Sequence, residues 1–289
     1  MGKNIFGGVV ATAMLAAEKN NPQKADDYIG ENGLLYCGKC NTPKQCKFKA
    51  LGTERIVFCL CDCKKREQER KMRAEEEAKA AFKRQQIREG AFTDKETRRL
   101  TFEIDDGNNP DVSKFARKYA ESFNTKNSDG LLLYGDCGTG KSFYAACIVN
   151  AVIDRDFTAK FTSISEIERE LWSANNKNEV YNYLSMLDLL VIDDLSVERD
   201  TPYMQEIVYN VVDMRSRRNK PMVITTNFTP ADIKNAQEQW QKRVFSRILG
   251  SCIPYAVDGS DRRREHGKRS YSENISKILN YTERSGNDC

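Results

Sequence analysis

Gly135-Asp136-Cys137-Gly138-Thr139-Gly140-Lys141-Ser142 decides the fold. The stretch fills every fixed position of the phosphate-binding loop G-x-x-x-x-G-K-[ST], with an apolar run, Leu131 to Tyr134, before it and a helical pattern from Ser142 to Ile153 after it. A strand ending at Tyr134 and a helix starting near Ser142 are the context in which the pattern has a mechanism. Glycines let the backbone curl until successive amides point at phosphate oxygens. Lys141 is then expected to reach the β- and γ-phosphates, Ser142 to join a Mg²⁺ shell, and the helix to offer its N-terminal amides to the charge. Gly135, Asp136, Cys137, Gly138, Thr139 and Gly140 form the expected cradle.

Downstream, Leu187 to Leu195 reads Leu-Asp-Leu-Leu-Val-Ile-Asp-Asp-Leu, a buried parallel strand carrying two carboxylates to its C-terminal end. Open α/β sheets bind ligands at that edge. Asp193 is the expected magnesium residue, and Asp194 is placed to orient or deprotonate an attacking water. A third apolar run, Val223-Ile224-Thr225-Thr226-Asn227, ends in polar residues that would lie beside the aspartates, so Asn227 could bond the γ-phosphate or its water. Strands at 131–134, 159–163, 189–192, 222–226 and 252–257 alternate with helices at 142–153, 166–172, 204–217 and 239–249. That order predicts an α/β fold: a parallel sheet with helices on both faces, a P-loop NTPase. Asp105 to Pro110 is a turn-rich break, followed by a helical pattern from Val112 to Phe123.

The chain has 289 residues, 39% of them hydrophobic, a formal net charge of +4 and 10 cysteines. Charge of this size permits nucleic-acid binding without demanding it. No stretch is long enough to span a bilayer, so no membrane partner is expected. The apolar segment Ile5 to Ala17 follows a single Lys3 and has no cleavage region after it, which favours an N-terminal amphipathic helix over a secretory signal. The cysteines imply a reducing, cytoplasmic location. Six of them cluster as Cys37, Cys40, Cys46, Cys59, Cys61 and Cys63. Cys37-Gly-Lys-Cys40 has zinc-knuckle spacing, and Cys59-Leu-Cys61-Asp-Cys63 returns further thiols after a β-like run, Arg55 to Phe58. Four thiolates around Zn²⁺ would staple a segment too small for a core of its own. Cys37 and Cys40 are expected ligands, completed by two of Cys59, Cys61 and Cys63, while Cys46 is the weakest candidate. Disulfides and an iron-sulfur cluster are the alternatives. Lys64 to Glu89, dense in charge, reads as a solvated linking helix. Four segments are therefore expected: a zinc-binding, partner-binding module (1–63), a charged helical linker (64–99), the ATPase domain (100–265), and a C-terminal helix and tail (266–289). Trp172 and Trp240 read as packing residues, and Lys160, Arg169, Arg215, Arg217 and Arg218 as possible contacts to nucleic-acid phosphates.

The constellation from about residue 100 to 265 resembles the AAA+ ATPases of the helicase-loader group, the DnaC/DnaI/IstB-like ATP-binding proteins. The resemblance implies that Gly135 to Ser142 is Walker A, Leu189 to Asp194 is Walker B and Asn227 is sensor 1. Arg243-Val-Phe-Ser-Arg247-Ile-Leu is similar to the family's box VII, which makes Arg247 an arginine finger for the nucleotide of a neighbouring subunit. Gly259 to Arg264 resembles the sensor 2 neighbourhood, where Arg263 would contact phosphate in cis, with Arg262 and Arg264 as other registers. Two departures stand out: the acidic pair ends in Asp194 where many AAA+ proteins have Glu, and the chain after Val257 is too short for a full lid, leaving a reduced one with a helix near Ile275 to Tyr281. The implied function is an ATP-dependent loader of a replicative DNA helicase, hydrolysing ATP with Mg²⁺ between subunits of a homo-oligomer and binding single-stranded DNA. An IstB-like transposition helper acting on duplex DNA is the alternative, although such proteins are not expected to carry the cysteine cluster. A non-hydrolysing adaptor stapled by zinc and nucleotide is another. A small-molecule kinase gives Asn227, Arg247 and the cysteines no role.

Overall fold

The structure is a computed structural model describing residues 22–50, 53–126, 129–195, 201–236, 238–259 and 261. The apolar 5–17 segment, Arg263 and the 275–281 helix lie outside these residues. The chain divides into two compact units, Met1–Ala81 and Phe82–Cys289.

In the first unit, β1 (Tyr28–Ile29) pairs antiparallel with β2 (Leu35–Tyr36), and β3 (Gln45–Ala50) pairs with β4 (Thr53–Phe58) in a hairpin that sets Gln45 against Phe58. Among its described residues the buried apolar side chains are few: Leu34, Leu35, Cys37 and Cys61. The Lys44–Asp27 ion pair, 2.6 Å long with each side chain 1% exposed, fills the same interior, and Lys44 also donates to the Pro22 carbonyl at 2.6 Å. Charges this deep persist only when paired and hydrogen-bonded, so the unit depends on polar contacts and on its cysteines rather than on apolar area. α1 (Asp62–Ala91) begins here, and the Thr42 hydroxyl accepts the Asp62 N–H at 2.9 Å. The charged run predicted as a solvated helix lies within α1, whose residues are mostly exposed.

The second unit opens with the end of α1, held by Arg84 to Asp156 at 2.8 Å and by Arg88 to Asn150 at 2.9 Å. α2 (Lys95–Arg98), a 3₁₀ turn (Phe102–Ile104) and α3 (Pro110–Ser122) follow. Then come β5 (Gly130–Tyr134), α4 (Lys141–Asp154), β6 (Ala159–Ser163), α5 (Ile164–Ser173), α6 (Lys177–Met186), β7 (Leu189–Asp193), α7 (Pro202–Arg217), β8 (Met222–Thr226), α8 (Pro230–Lys234), α9 (Gln239–Ser251) and β9 (Cys252–Ala256). The five strands β5 to β9 make one parallel sheet in the order β6-β7-β8-β5-β9. Pro254, which cannot donate a ladder hydrogen bond, falls on the edge strand β9, where that loss is tolerated.

Strand alternation distributes the core between two layers. Leu131, Leu133, Leu189, Val191 and Val223 pack with Val112, Ala116, Tyr144, Ile148 and Val152. Leu132, Leu190, Ile192, Met222 and Ile224 pack on the other face with Ile167, Leu171, Ile207, Val211 and Ile248. Because β8 lies between β5 and β7, the ends of the three polar-tipped strands converge at one edge of the sheet.

Candidate functional site

The loop after β5 turns through residues with left-handed backbones, Gly135 at φ 145° and Gly140 at φ 101°. A Cβ on Gly135 would also come within 2.5 Å of the Val257 carbonyl oxygen, so only glycine fits there. Gly140 is the N-cap of α4 and brings no side chain to its first turn. By contrast α3, α5, α7 and α8 are capped by Asn109, Ser163, Thr201 and Thr229. An uncapped helix start at the C-terminal edge of a parallel sheet is suited to an anion. Lys141 folds back over the loop, 8% exposed, and donates to the carbonyls of Gly135 at 2.8 Å and Asp136 at 2.7 Å. Burial pushes its pKa below the ordinary lysine value, against the pull of Cys137, Asp194, Asp193 and Asp136 nearby.

Asp193 ends β7, and Asp194 follows with φ 52°, a left-handed backbone on a residue that carries a side chain. Thr225 of β8, 1% exposed, holds both. Its hydroxyl donates to Asp193 Oδ1 at 2.6 Å and accepts the Asp194 N–H at 2.7 Å. The sequence places Thr225 in the polar end of its strand beside the aspartates but gives it no role of its own, although a hydroxyl in an otherwise aliphatic strand is a visible signal. Burial raises the Asp193 pKa above the usual carboxylate range, while hydrogen bonds from Thr225 and Ser142 work in the opposite direction. A desolvated carboxylate bonded to the serine after the lysine is a fitting place for a divalent cation, which would relieve that cost.

Cys137, Gly138, Gly140, Lys141, Ser142, Asp193, Asp194, Thr225 and Asn227 line one cleft of about 550 Å³. Leu100, Ile104, Asp106 and Phe143 also line it, adding apolar area and one carboxylate. Leu100, Ile104 and Asp106 were missed in the sequence because residues 100–106 hold no periodic pattern. Tyr144 of α4 donates to the carbonyl of Asn109, the N-cap of α3, at 3.3 Å.

Arg247 does not line the cleft of its own chain. It is held on α9 against α7, with Nε donating to Asp213 Oδ1 at 2.6 Å. Two of the possible phosphate contacts are committed within the chain: Lys160 is bound to Glu170 at 2.6 Å, and Arg215, 0% exposed, donates to the carbonyls of Leu184, Leu187, Asp188 and Pro221. Trp172, expected to pack, is instead 74% exposed, edge-on to Tyr203 with ring centroids 6.1 Å apart.

In the first unit the sulfurs of Cys37, Cys40, Cys61 and Cys63 lie within 4.8 Å of one another. The Cys37–Cys63 separation of 3.7 Å matches the edge of about 3.8 Å that Zn–S bonds of about 2.3 Å give a tetrahedron. Cys59 stands outside this group and its thiol faces the Pro43 carbonyl at 3.5 Å. Hydrogen bonding to Cys61, together with burial, pushes Cys63 up to about 12. Burial also opposes ionisation of Cys40, yet hydrogen bonds led by Thr42 draw it down to about 6. Four crowded sulfurs with such unequal demands suit a cation that takes all of them as thiolates.

Comparison with known proteins was made against this geometry. The chain is 28% identical over 165 residues to the replicative helicase loader DnaI of Bacillus subtilis (strain 168), covering 53% of this chain and 52% of that protein. It is 32% identical over 144 residues to the replicative helicase loader DnaC of Escherichia coli (strain K12), covering 48% of this chain and 57% of that protein. The match thus spans little more than half the length of these relatives. A crystal structure of the DnaC helicase loader superposes with a TM-score of 0.50 at 18% identity, covering 57% of this chain and 100% of that one, a likeness of fold. Among the described residues no helix is long and apolar enough to cross a membrane. The family model of the bacterial DnaA ATPase domain matches residues 98–249, just over half of the 289-residue chain, and the chain therefore belongs to that family, among the AAA+ ATPases that include the helicase loaders.

Proposed function

We propose that this protein is a cytoplasmic, ATP-dependent loader of a replicative DNA helicase, assembling as a homo-oligomer on ATP and engaging single-stranded DNA. The observation that carries the reading is a division of parts. Lys141, Ser142, Asp193, Asp194 and Asn227 share one cleft, while Arg247 is held elsewhere and exposed enough to serve another copy. In this scheme the phosphates of ATP take over the Lys141 ammonium from the carbonyls of Gly135 and Asp136, so nucleotide binding rearranges the loop. Mg²⁺ between Ser142 and Asp193 would neutralise charge on the β- and γ-phosphates. Asp194, exposed at the cleft, orients the attacking water, with Asn227 beside the γ-phosphate. Arg263 is retained as the cis phosphate contact. Zn²⁺ on Cys37, Cys40, Cys61 and Cys63 shapes the N-terminal module that grips the helicase. Single-strand contact is supported by Trp172 and by Lys177, whose ammonium lies 5.2 Å over the Tyr203 ring, since bases stack on exposed aromatics beside cations.

The test is complementation between subunits. Lys141→Ala and Arg247→Ala should each lose DNA-stimulated ATP hydrolysis, and mixing the two should restore part of it. Full activity in either single variant contradicts the intersubunit site. Affinity capture with the full chain from its source organism should recover a hexameric helicase, whereas a transposase would favour the transposition helper.

A further inference from the structure

Arg247 is fastened on three sides by its own chain. Its Nε donates to Asp213 Oδ1 at 2.6 Å, one terminal nitrogen donates to the Tyr209 hydroxyl at 3.2 Å, and the other donates to the Arg243 carbonyl at 3.2 Å. The cation also lies 4.9 Å over the Tyr209 ring. Tyr209 and Asp213 stand one turn apart on α7, so the helix presents them side by side.

A guanidinium has five N–H bonds in a fixed fork. The contacts with Asp213 and Tyr209 occupy one edge of it, and the Arg243 carbonyl takes a further N–H. What remains is one N–H on each terminal nitrogen, a free donor edge for phosphate oxygens. Charge points the same way. Asp213, its side chain 14% exposed, also binds Arg217 Nε at 2.8 Å, and among the described residues no other carboxylate is within ion-pair distance of either arginine. Two cations thus share one anion, which leaves a positive surplus at a side chain that is still 30% exposed. A purely structural ion pair has no need of that surplus, and a solvated surface arginine has no need of an aromatic platform and a nearly buried carboxylate.

The geometry points to Asp213 and Tyr209 as positioning residues that fix Arg247 with its free edge outward, ready for the γ-phosphate of the nucleotide held by a second copy of this chain. The inference rests on the trans-arginine reading proposed above and adds the residues that aim the group. Long side chains lose much rotamer freedom when they are ordered. Fixing Arg247 on α7 moves that loss into folding, so assembly does not have to supply it.

The experiment keeps the receiving site intact and alters only the donor. Arg247→Ala supplies the ATP-binding subunit, and Lys141→Ala supplies the donor of Arg247. Four donors are compared: Lys141→Ala alone, and Lys141→Ala with Asp213→Asn, with Tyr209→Phe or with Asp213→Glu. Asp213→Asn in the donor should lower the restored kcat roughly tenfold, as expected for a misplaced group, and leave KM for ATP, a property of the receiving subunit, unchanged. Tyr209→Phe keeps the ring and should lower kcat by a smaller factor, and it decides the matter should the Asp213→Asn donor not fold. Asp213→Glu, which keeps the charge, should recover part of the loss. Equal rescue by all donors overturns the positioning role alone. No rescue by the first donor overturns the trans-arginine reading and the positioning role with it.

Discussion

Replacing Thr225 with valine removes one hydroxyl and almost no volume, so its effect isolates two hydrogen bonds. The hydroxyl donates to Asp193 Oδ1 at 2.6 Å and accepts the Asp194 amide at 2.7 Å, and Thr225 is 1% exposed. A hydrogen bond to an ionised partner contributes about 1.5–3 kcal/mol, and an ordinary hydrogen bond such as that to the Asp194 amide about 0.5–1.5 kcal/mol. The two do not add fully because they share one group, and a total near 3 kcal/mol is expected. For a unit of this size that lowers the melting temperature by about 6–12 °C. The Asp194 backbone, at φ 52°, also loses the contact that holds it, so Mg²⁺-dependent ATP affinity should fall along with stability. Differential scanning calorimetry and nucleotide titration on Thr225→Val and Thr225→Ser measure both, with serine, which keeps the hydroxyl, close to wild type in affinity. A valine variant that melts within about 1 °C of wild type, well short of that drop, and binds MgATP normally refutes the view that Thr225 fixes the acidic pair.

Asp193 gives a pH prediction. Its folded pKa lies above the ordinary carboxylate value because of burial, so between the unfolded and folded values the native state holds the extra proton and stability falls as pH rises. Asp193→Asn should therefore be more stable than wild type by a margin that is larger at neutral pH than at about pH 4, near the unfolded pKa. Thermal melts across that range check it, and a constant margin contradicts it. Arg215→Met leaves the carbonyls of Leu184, Leu187, Asp188 and Pro221 without this donor, each orphaned buried acceptor costing about 1–3 kcal/mol, and urea unfolding should register a clear loss of stability. Elemental analysis should find about one zinc per chain. Chelation should expose the thiols of Cys37, Cys40, Cys61 and Cys63 and unfold the first unit while leaving the second unit's melting transition in place, as hydrogen exchange would show.

The architecture was legible in the sequence wherever short-range pattern and tertiary role agree. Leu131 to Tyr134, Leu189 to Ile192 and Met222 to Thr226 are aliphatic runs with polar ends, and each is a strand of the sheet with its polar tip at the cleft. Helix α6 was not legible: Lys177 to Met186 has weak contrast between its faces, and it buries only Leu184 and Ser185. Arg215 was legible only as charge. The run Arg215-Ser-Arg-Arg looks uniformly solvated, yet the helical turn sends Arg215 inward to loop carbonyls and leaves Arg217 exposed. Trp172 failed for the opposite reason, since hydrophobicity alone does not say which side of an amphipathic helix is covered. Among the candidate site residues, the spacing motifs marked Lys141, Ser142, Asp193, Asp194 and Asn227, which the structure brings into one cleft, while no spacing marks the hydrogen bonds that Thr225 makes to the acidic pair or that Tyr209 and Asp213 make to Arg247.

The central claim is that ATP at Lys141 governs delivery of a helicase to DNA. It is tested most directly by loading the captured helicase onto a single-stranded circle coated with single-strand-binding protein, with strand unwinding as the readout. The account predicts unwinding that requires both this protein and ATP and is lost with Lys141→Ala at equal helicase binding. Equal loading by wild type and Lys141→Ala would contradict it.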